Sequence, residues 1–387
     1  MQRSIAVIFG GRSAEHDVST ITAHIPIINT LQASGQFDIW PIYITKQGTW
    51  YCDKVMNDLA FFKQSDYEAR LSKMTPIELG LKDGLTLVWP GLFAKRQKID
   101  VVFPSMHGTY GEDGSLMGLL RMANVPFVGC DIFGSAAAMD KVLTKQVVAA
   151  EGMAVVPYVW FTKSMWIKDV AKFKAEIKKL KWPVFVKPVH LGSSIGMAKA
   201  KTDAELDNAI EVALHYDDKV LVEESVEPLL EITLPIMGND IITTANCERP
   251  LNKTEFFDFK DKYLSGGKKG GGGVNTEYSE IPADISDELA AEIKGIGRRV
   301  YQALDLAGIA RVDFLINADT KKVYVNEVNT LPGSLYHHNW KKAGVSNMDL
   351  VLGLVKLADE RFASQKGRTL TFKSDILQKV GGPKVQK

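Results

Sequence analysis

Arg311, Asp313, Glu327 and Asn329 interrupt runs of Val, Leu, Ile and Phe in the stretch RVDFLINADTKKVYVNEVNTLPGS, residues 311–334. No other feature restricts the fold as much. The apolar pattern predicts strands over Ala310 to Ile316 and Lys322 to Asn329, joined by the polar turn Asn317-Ala318-Asp319-Thr320. Because strand side chains alternate between faces, Arg311 and Asp313 should share one face, and Val325, Glu327 and Asn329 one face of the second strand. Unpaired buried charge is costly, so a fold that accepts this hairpin must neutralise an arginine and two carboxylates in one place. A divalent cation does so. Hard oxygen ligands with no His or Cys cluster nearby suit magnesium, whose shell is commonly completed by substrate phosphates. The alternative is a solvated hairpin of Arg-Asp and Glu-Lys pairs using Lys321 and Lys322, each pair worth only ~0–1 kcal/mol.

A chain of 387 residues has room for two or three domains with proper cores. A net charge of +1, with 45% hydrophobic and 24% charged residues, gives neither a nucleic-acid footprint nor a membrane-surface one. The apolar run in residues 1–9 is too short for a secretory signal or a span, so a cytoplasmic location is expected. Cys52, Cys130 and Cys247 lie far apart in no metal spacing and read as buried reduced thiols.

Ser4 to Phe9 reads as a buried strand ending in Gly10-Gly11, followed by a helical pattern through His24 to Leu31, which is the first unit of an open parallel sheet. With further strands at Phe37 to Ile44, Ile99 to Pro104 and Val125 to Gly129, residues 1 to about 130 form one doubly wound domain. The glycine pair lacks the dinucleotide fingerprint, which argues against a nicotinamide cofactor. Residues 50–95 give no clear element. The loop His107-Gly108-Thr109-Tyr110-Gly111-Glu112-Asp113-Gly114 is either a plain turn cluster or a site facing the Gly10 loop. Ser135 to Gly152 reads as one helix, with Lys141 and Lys145 a turn apart. A lysine inside the strand WPVFVKP, directly before Leu191-Gly192-Ser193-Ser194-Ile195-Gly196, suggests a phosphate cradle without Walker spacing. Strands follow at Lys219 to Glu224 and Glu231 to Met237. Six glycines in the eight residues 266–273 make either a linker or a lid, and a lid closing over a nucleotide fits better. Helices are expected at Ser286 to Leu304 and Asn347 to Phe362, and a frayed tail from Lys373 to Lys387.

The motifs stand in a telling order: GGxSxEHxVS, HGxxGEDG, MDK, VKP with LGSS, VLVEE, KYL, RVDF and NEVNTLPG. In that order, over almost the whole chain, the sequence resembles the ATP-grasp superfamily and within it the D-alanine-D-alanine ligases. The resemblance implies an α/β, three-domain ATP-grasp fold with an amino-terminal open parallel-sheet domain at 1–132, a central subdomain at 133–226, and a carboxyl-terminal subdomain at 227–387 carrying lid and metal site. It implies ATP-dependent joining of two D-alanines through an acyl phosphate, with magnesium (two ions, manganese able to substitute), in a cytoplasmic homodimer.

Residue by residue, the resemblance places Lys141, Lys187 and Ser194 on ATP phosphates. It places Glu223, Glu224 and the backbone near Val226 at adenine, Glu231 at the ribose, and Lys262 on the γ-phosphate. Glu15, Ser193 and Tyr263 would hold the first D-alanine and the lid, with His107 nearby. Asp313, Glu327 and Asn329 would bind the metal, Arg311 and the Gly333 N–H would stabilise the tetrahedral intermediate, and Ser334-Leu335 would receive the second substrate's carboxylate. The chain departs from the family pattern in three places. Ser334-Leu335 matches only across a deletion after Pro332-Gly333, Met117 replaces a usual glutamine, and the interval from Glu223 to Glu231 is one residue longer than in the family pattern.

Overall fold

A computed structural model of the protein describes residues 2–251, 279–369 and 371–379. Strand β1 (Arg3–Gly10) is buried along nearly its whole length, as an unbroken apolar run covered on both faces must be. Helix α1 (His16–Thr22), a π-helical stretch at Ala23–Ile28 that accommodates Pro26, and α2 (Asn29–Ser34) lead back to β2 (Phe37–Ile44). β2 lies parallel to β1, Ile5 opposite Ile39. β3 (Trp50–Cys52) adds an antiparallel edge.

The stretch without a sequence assignment holds α3 (Tyr67–Leu71) and a small antiparallel sheet of β4 (Glu78–Gly80), β5 (Leu85–Trp89) and β6 (Lys95–Ile99). β7 (Val101–Pro104) then pairs parallel with β1, giving the order β3-β2-β1-β7. The strand expected at Val125 to Gly129 is reduced to one parallel bridge, Val102 to Phe127. At the carboxyl ends of these strands Gly10 has φ 85°, and a Cβ there would lie 2.3 Å from the Ile44 carbonyl oxygen, so only glycine permits the turn.

The next segment corrects an expectation. Ser135 to Gly152 is not one helix: after α4 (Ser115–Met122), the chain forms α5 (Ile132–Met139) and α6 (Lys141–Ala150), broken at Asp140. The Asp140 carboxylate accepts the Val142 and Leu143 N–H groups at 2.8 and 2.9 Å, so it starts a new helix rather than continuing the old one. That break puts Lys141 at a helix start, buried there, with Nζ 3.4 Å from Glu327.

The second sheet contains β8 (Tyr158–Thr162), β9 (Val184–Pro188), β10 (Ala198–Ala200) and β11 (Lys219–Glu224) in the order β10-β9-β11-β8, all antiparallel. Helices α7 (Lys163–Lys168), α8 (Val170–Ile177) and α9 (Asp203–Tyr216) accompany it, burying Phe173, Ile177, Leu206 and Ile210 against Val184, Val186 and Val222. The third sheet uses β12 (Leu229–Gly238), β13 (Ile242–Thr244), β16 (Gly308–Asn317) and β17 (Val323–Asn329) in the order β13-β12-β16-β17, with β14 (Arg249–Pro250) and β15 (Ser279–Glu280) as a separate pair. The helix Asp287–Ala303, capped by Ser286, sets Ile293 and Val300 in one core with Leu234, Ile236 and Phe314.

The helix Asn347–Gln365 returns to the first sheet and buries Leu350, Val351, Leu354 and Val355 with Ile5, Val7 and Phe103. Arg3 holds Asp359 with two bonds of 2.6 and 2.5 Å, and Arg361 donates to the carbonyls of Phe127 and Gly129. Ile376–Lys379 forms a helical turn where fraying was expected; residues 380–387 lie outside the described residues. Among the described residues no helix is long and apolar enough to cross a membrane.

Candidate active site

The hairpin of β16 and β17 pairs Arg311 with Asn329 and Asp313 with Glu327, so all four polar residues meet. The expectation for Val325 is overturned. A β-bulge between Asp313 and Phe314 sets Phe314 opposite Val325, leaving Asn326 as the extra residue; Val325 points into the core at 1% exposure while Glu327 faces the site. Asn326 is itself re-aimed by the bulge: its Oδ1 accepts a 3.1 Å hydrogen bond from Lys187 Nζ.

Arg311 grips Asp313 with two bonds of 2.6 Å, Asn329 Nδ2 donates to Asp313 at 3.1 Å, and Glu327 lies 3.4 Å from Lys141 Nζ. Carboxylates directly opposite on neighbouring strands repel unless a cation sits with them. Two carboxylates and an amide on adjacent strands fit magnesium, which takes few protein ligands and prefers oxygen. Among the described residues no group of three or more His, Cys, Asp or Glu is placed to hold a metal ion, so the hairpin offers two carboxylates and an amide and no more.

Beside the hairpin lies a buried group of lysines. Lys187 Nζ lies 2.5 Å from Glu223 Oε1, and Lys145 Nζ 2.8 Å from Glu223 Oε2. Glu223 and Lys145 are each 1% exposed. Burial raises the affinity of Glu223 for a proton, but Lys145 and Lys187 outweigh it and hold the carboxyl at about 2. Lys141 Nζ donates to the Leu191 carbonyl at 2.6 Å. Lys141, Lys145, Lys187 and Arg311 thus stand together among Glu223, Glu231, Asp313 and Glu327, a concentration of cations that can meet polyphosphate once magnesium takes up the hairpin carboxylates. Lys145 joins the site unforeseen, although its helical spacing from Lys141 was a signal.

The serine loop turns through two consecutive left-handed residues, Ser193 at φ 53° and Ser194 at φ 58°. Ser193 Oγ donates to Glu15 Oε1. Gly108 and Gly192 flank the same carboxylate: a Cβ on either would lie 3.0 or 3.4 Å from Glu15 Oε2. His107 is buried, its Nε2 2.9 Å from Thr22 Oγ1, and the same hydroxyl oxygen accepts the Ser334 N–H at 3.1 Å. Burial pushes the His107 imidazole toward its neutral form, with Glu15 opposing. Glu112 fastens the two loops, accepting from Gly108 N at 2.7 Å and Leu331 N at 3.1 Å; burial and then Glu15 raise its carboxyl to about 8. Ser334, Leu335 and Tyr336 after Gly333 are all left-handed, and the Tyr336 ring lies 4.9 Å from the Arg311 guanidinium. Thr22, Glu112 and Tyr336 were missed; Glu112 had its glycine-spaced loop as a clue, whereas nothing local marks Thr22.

The remaining expected residues are more scattered. Glu224 accepts the Lys181 N–H at 2.9 Å, Val226 follows the end of β11, and Glu231 on β12 contributes to the field that favours the charged form of Lys187. Lys262, Tyr263 and the glycine-rich stretch lie outside the described residues.

The D-ala D-ala ligase N-terminus family model matches residues 4–130, and the D-ala D-ala ligase C-terminus model residues 147–356. A D-alanine–D-alanine ligase of Thermosipho africanus is 35% identical over 96% of this chain and 98% of its own. Among solved structures, the D-alanine-D-alanine ligase from Coxiella burnetii matches with TM-score 0.78 and 30% identity over 94% of this chain and 96% of its own. The VanG D-Ala:D-Ser ligase from Enterococcus faecalis matches with TM-score 0.77 and 30% identity over 92% of this chain and all of its own. With both halves matched in order and the charged hairpin, lysine group and Glu15–Ser193 pair brought together, the chain belongs to the D-alanine–D-alanine ligase family of ATP-grasp enzymes.

Proposed function

We propose that the protein joins two D-alanines into D-alanyl-D-alanine at the expense of ATP, supplying a building block for peptidoglycan. The observation that carries this reading is the junction of the Glu15–Ser193 pair, able to hold an α-ammonium group, with the cationic group of Lys141, Lys187 and Arg311. In the first step a carboxylate oxygen of one D-alanine attacks the γ-phosphorus, the bond to ADP breaks, and an acyl phosphate forms. In the second, the amine of another D-alanine attacks the acyl carbon, phosphate leaves, and the nitrogen loses a proton. Lys141, Lys187 and Ser194 orient phosphates, Glu223, Glu224, the Val226 backbone and Glu231 line the nucleoside end, and Lys262 meets the γ-phosphate. Arg311 and the Gly333 N–H face the charge that develops on the tetrahedral intermediate. Ser334-Leu335 and His107 set the amino acids. Magnesium, held by Asp313, Glu327 and Asn329, would supply neutralising charge for the phosphates. The enzyme is read as a cytoplasmic homodimer.

A second reading concerns only the acceptor: one structural neighbour is a D-Ala:D-Ser ligase, and the Ser334-Leu335 segment follows Gly333 directly here. The test is phosphate release with purified protein, ATP, magnesium and D-alanine alone or mixed with D-serine or D-lactate from pH 6 to 9, products identified by mass. D-alanyl-D-alanine should dominate and rise with pH as the acceptor amine deprotonates. A mixed peptide or ester as the main product above neutral pH would reassign the acceptor, and no phosphate release with any D-amino acid would remove the activity.

A further inference from the structure

His190, between the strand that carries Lys187 and the serine loop, has no part in the roles given above. Its Nδ1 lies 3.0 Å from Asp217 Oδ1 and its Nε2 3.3 Å from Asp140 Oδ2, while its own N–H donates to Asp217 Oδ2 at 2.6 Å. A neutral imidazole has one N–H and can satisfy only one of two carboxylates; both ring nitrogens facing carboxylate oxygens calls for the imidazolium. Asp140 is the residue that starts α6, and so positions Lys141. The loop and α6 are also joined by Lys141 N to the Val189 carbonyl at 3.4 Å and Lys141 Nζ to the Leu191 carbonyl at 2.6 Å. His190 is therefore a brace between the helix that presents one phosphate-contacting group and the loop that presents another.

We propose that the His190 imidazolium is a positioning residue for the nucleotide: it locks the Gly192-Ser193-Ser194 loop to the start of α6, and its deprotonation loosens that loop. The inference rests on reading the loop as an ATP phosphate cradle. The groups around the ring are Asp140 at the start of α6, Asp217 at the end of α9, Lys219 on β11, whose Nζ lies 2.6 Å from Asp140 Oδ2, and Tyr158 on β8, which feels the Asp140 charge. With a charged imidazole these ionic groups balance, two cations against two carboxylates. With a neutral one, a net negative charge is left beside a polyphosphate site, and one tie is lost. Both effects weaken nucleotide binding. Hydrogen bonds from Asp140 and then Asp217 hold the imidazolium to about 9, so the brace is present at neutral pH and is lost as pH rises through that value.

The test is calorimetric titration of ADP with magnesium into wild-type protein, H190Q and H190R at pH 7.5 and 9.5, with kcat at saturating ATP measured alongside. H190Q should bind ADP about tenfold more weakly at pH 7.5, with kcat within about threefold, as expected for loss of one charge-assisted bond. Wild type should weaken several-fold between the two pH values, more steeply than H190R, which keeps its charge throughout. If H190Q binds within twofold of wild type, or if wild type and H190R show the same pH dependence, the positioning role is wrong. The wild-type pH series decides even if a variant fails to fold. No ADP binding by folded wild type at either pH would instead overturn the cradle reading itself.

Discussion

Ser193 and Glu15, 178 residues apart in the chain, share a hydrogen bond with the serine hydroxyl donating. The bond crosses from the serine loop of the second sheet to the turn after β1, so the amino-terminal segment completes a site whose phosphate groups lie elsewhere. Ser193→Ala should lower kcat/KM for D-alanine by about 10²–10³, the scale of removing one preorganised donor, while ADP affinity stays within about threefold. Steady-state kinetics paired with calorimetry would check this. A parallel loss of ADP binding would assign Ser193 to the nucleotide instead.

Glu223 makes a stability prediction. Glu223→Gln leaves Lys145 and Lys187 buried without their carboxylate and should destabilise the protein by about 3–5 kcal/mol in urea unfolding. The sign with pH follows from a folded-state value of about 2 against an ordinary 4.5: the stabilisation is fully present above 4.5 and disappears as pH falls toward 2. Wild type should therefore lose its advantage over the Gln variant across that acid window, and a constant difference down to pH 2.5 would contradict the pairing.

The bulge at Asn326 has a separable role. Removing Asn326 brings Val325 and Glu327 into ordinary alternation, with Val325 still inward and Glu327 still outward, so the ladder should survive deletion with a melting temperature within about 5 °C of wild type, a change of roughly 1–2 kcal/mol. Lys187 would keep Glu223 but lose its amide partner, and KM for ATP should rise about tenfold, the scale of a lost hydrogen bond to a charged group. Unfolding of the deletion variant would mean that the bulge serves the fold rather than the lysine.

The regular elements of this fold were legible because their residues are locally consistent: β2 and β11 run as their apolar patterns indicate, and Ser286 marks a helix start. The predicted faces of β16 likewise hold, Arg311 and Asp313 together. What failed did so for identifiable reasons. The bulge breaks the two-residue period without a Gly or Pro to announce it, which misplaced Val325. Asp140 sits within a continuous helix-forming run, and its capping role is decided by backbone geometry. Residues 78–99 build a small sheet from strands of three and five residues, too short for periodicity to identify. Lys145 and Thr22 matter because of groups far along the chain, which no local pattern contains.

Glu327→Gln preserves volume but removes a charge from the hairpin. The fold should persist, judged by circular dichroism, while turnover falls by orders of magnitude and more magnesium is needed to reach half-maximal rate. Near wild-type activity across a magnesium titration would take Glu327 out of the metal site.

The return of helix Asn347–Gln365 to the first sheet affects how the chain is made. During synthesis β1, β2 and β7 leave the ribosome more than two hundred residues before Leu350, Val351, Leu354 and Val355, which share their core. Until then one apolar flank of the earliest sheet waits uncovered, at risk of association with neighbouring nascent chains. Chains stalled before residue 347 should accordingly be cleaved readily within residues 1–130 by a dilute protease, and stalled full-length chains on a long linker should resist. Equal resistance in both would mean that the early sheet closes without its last helix.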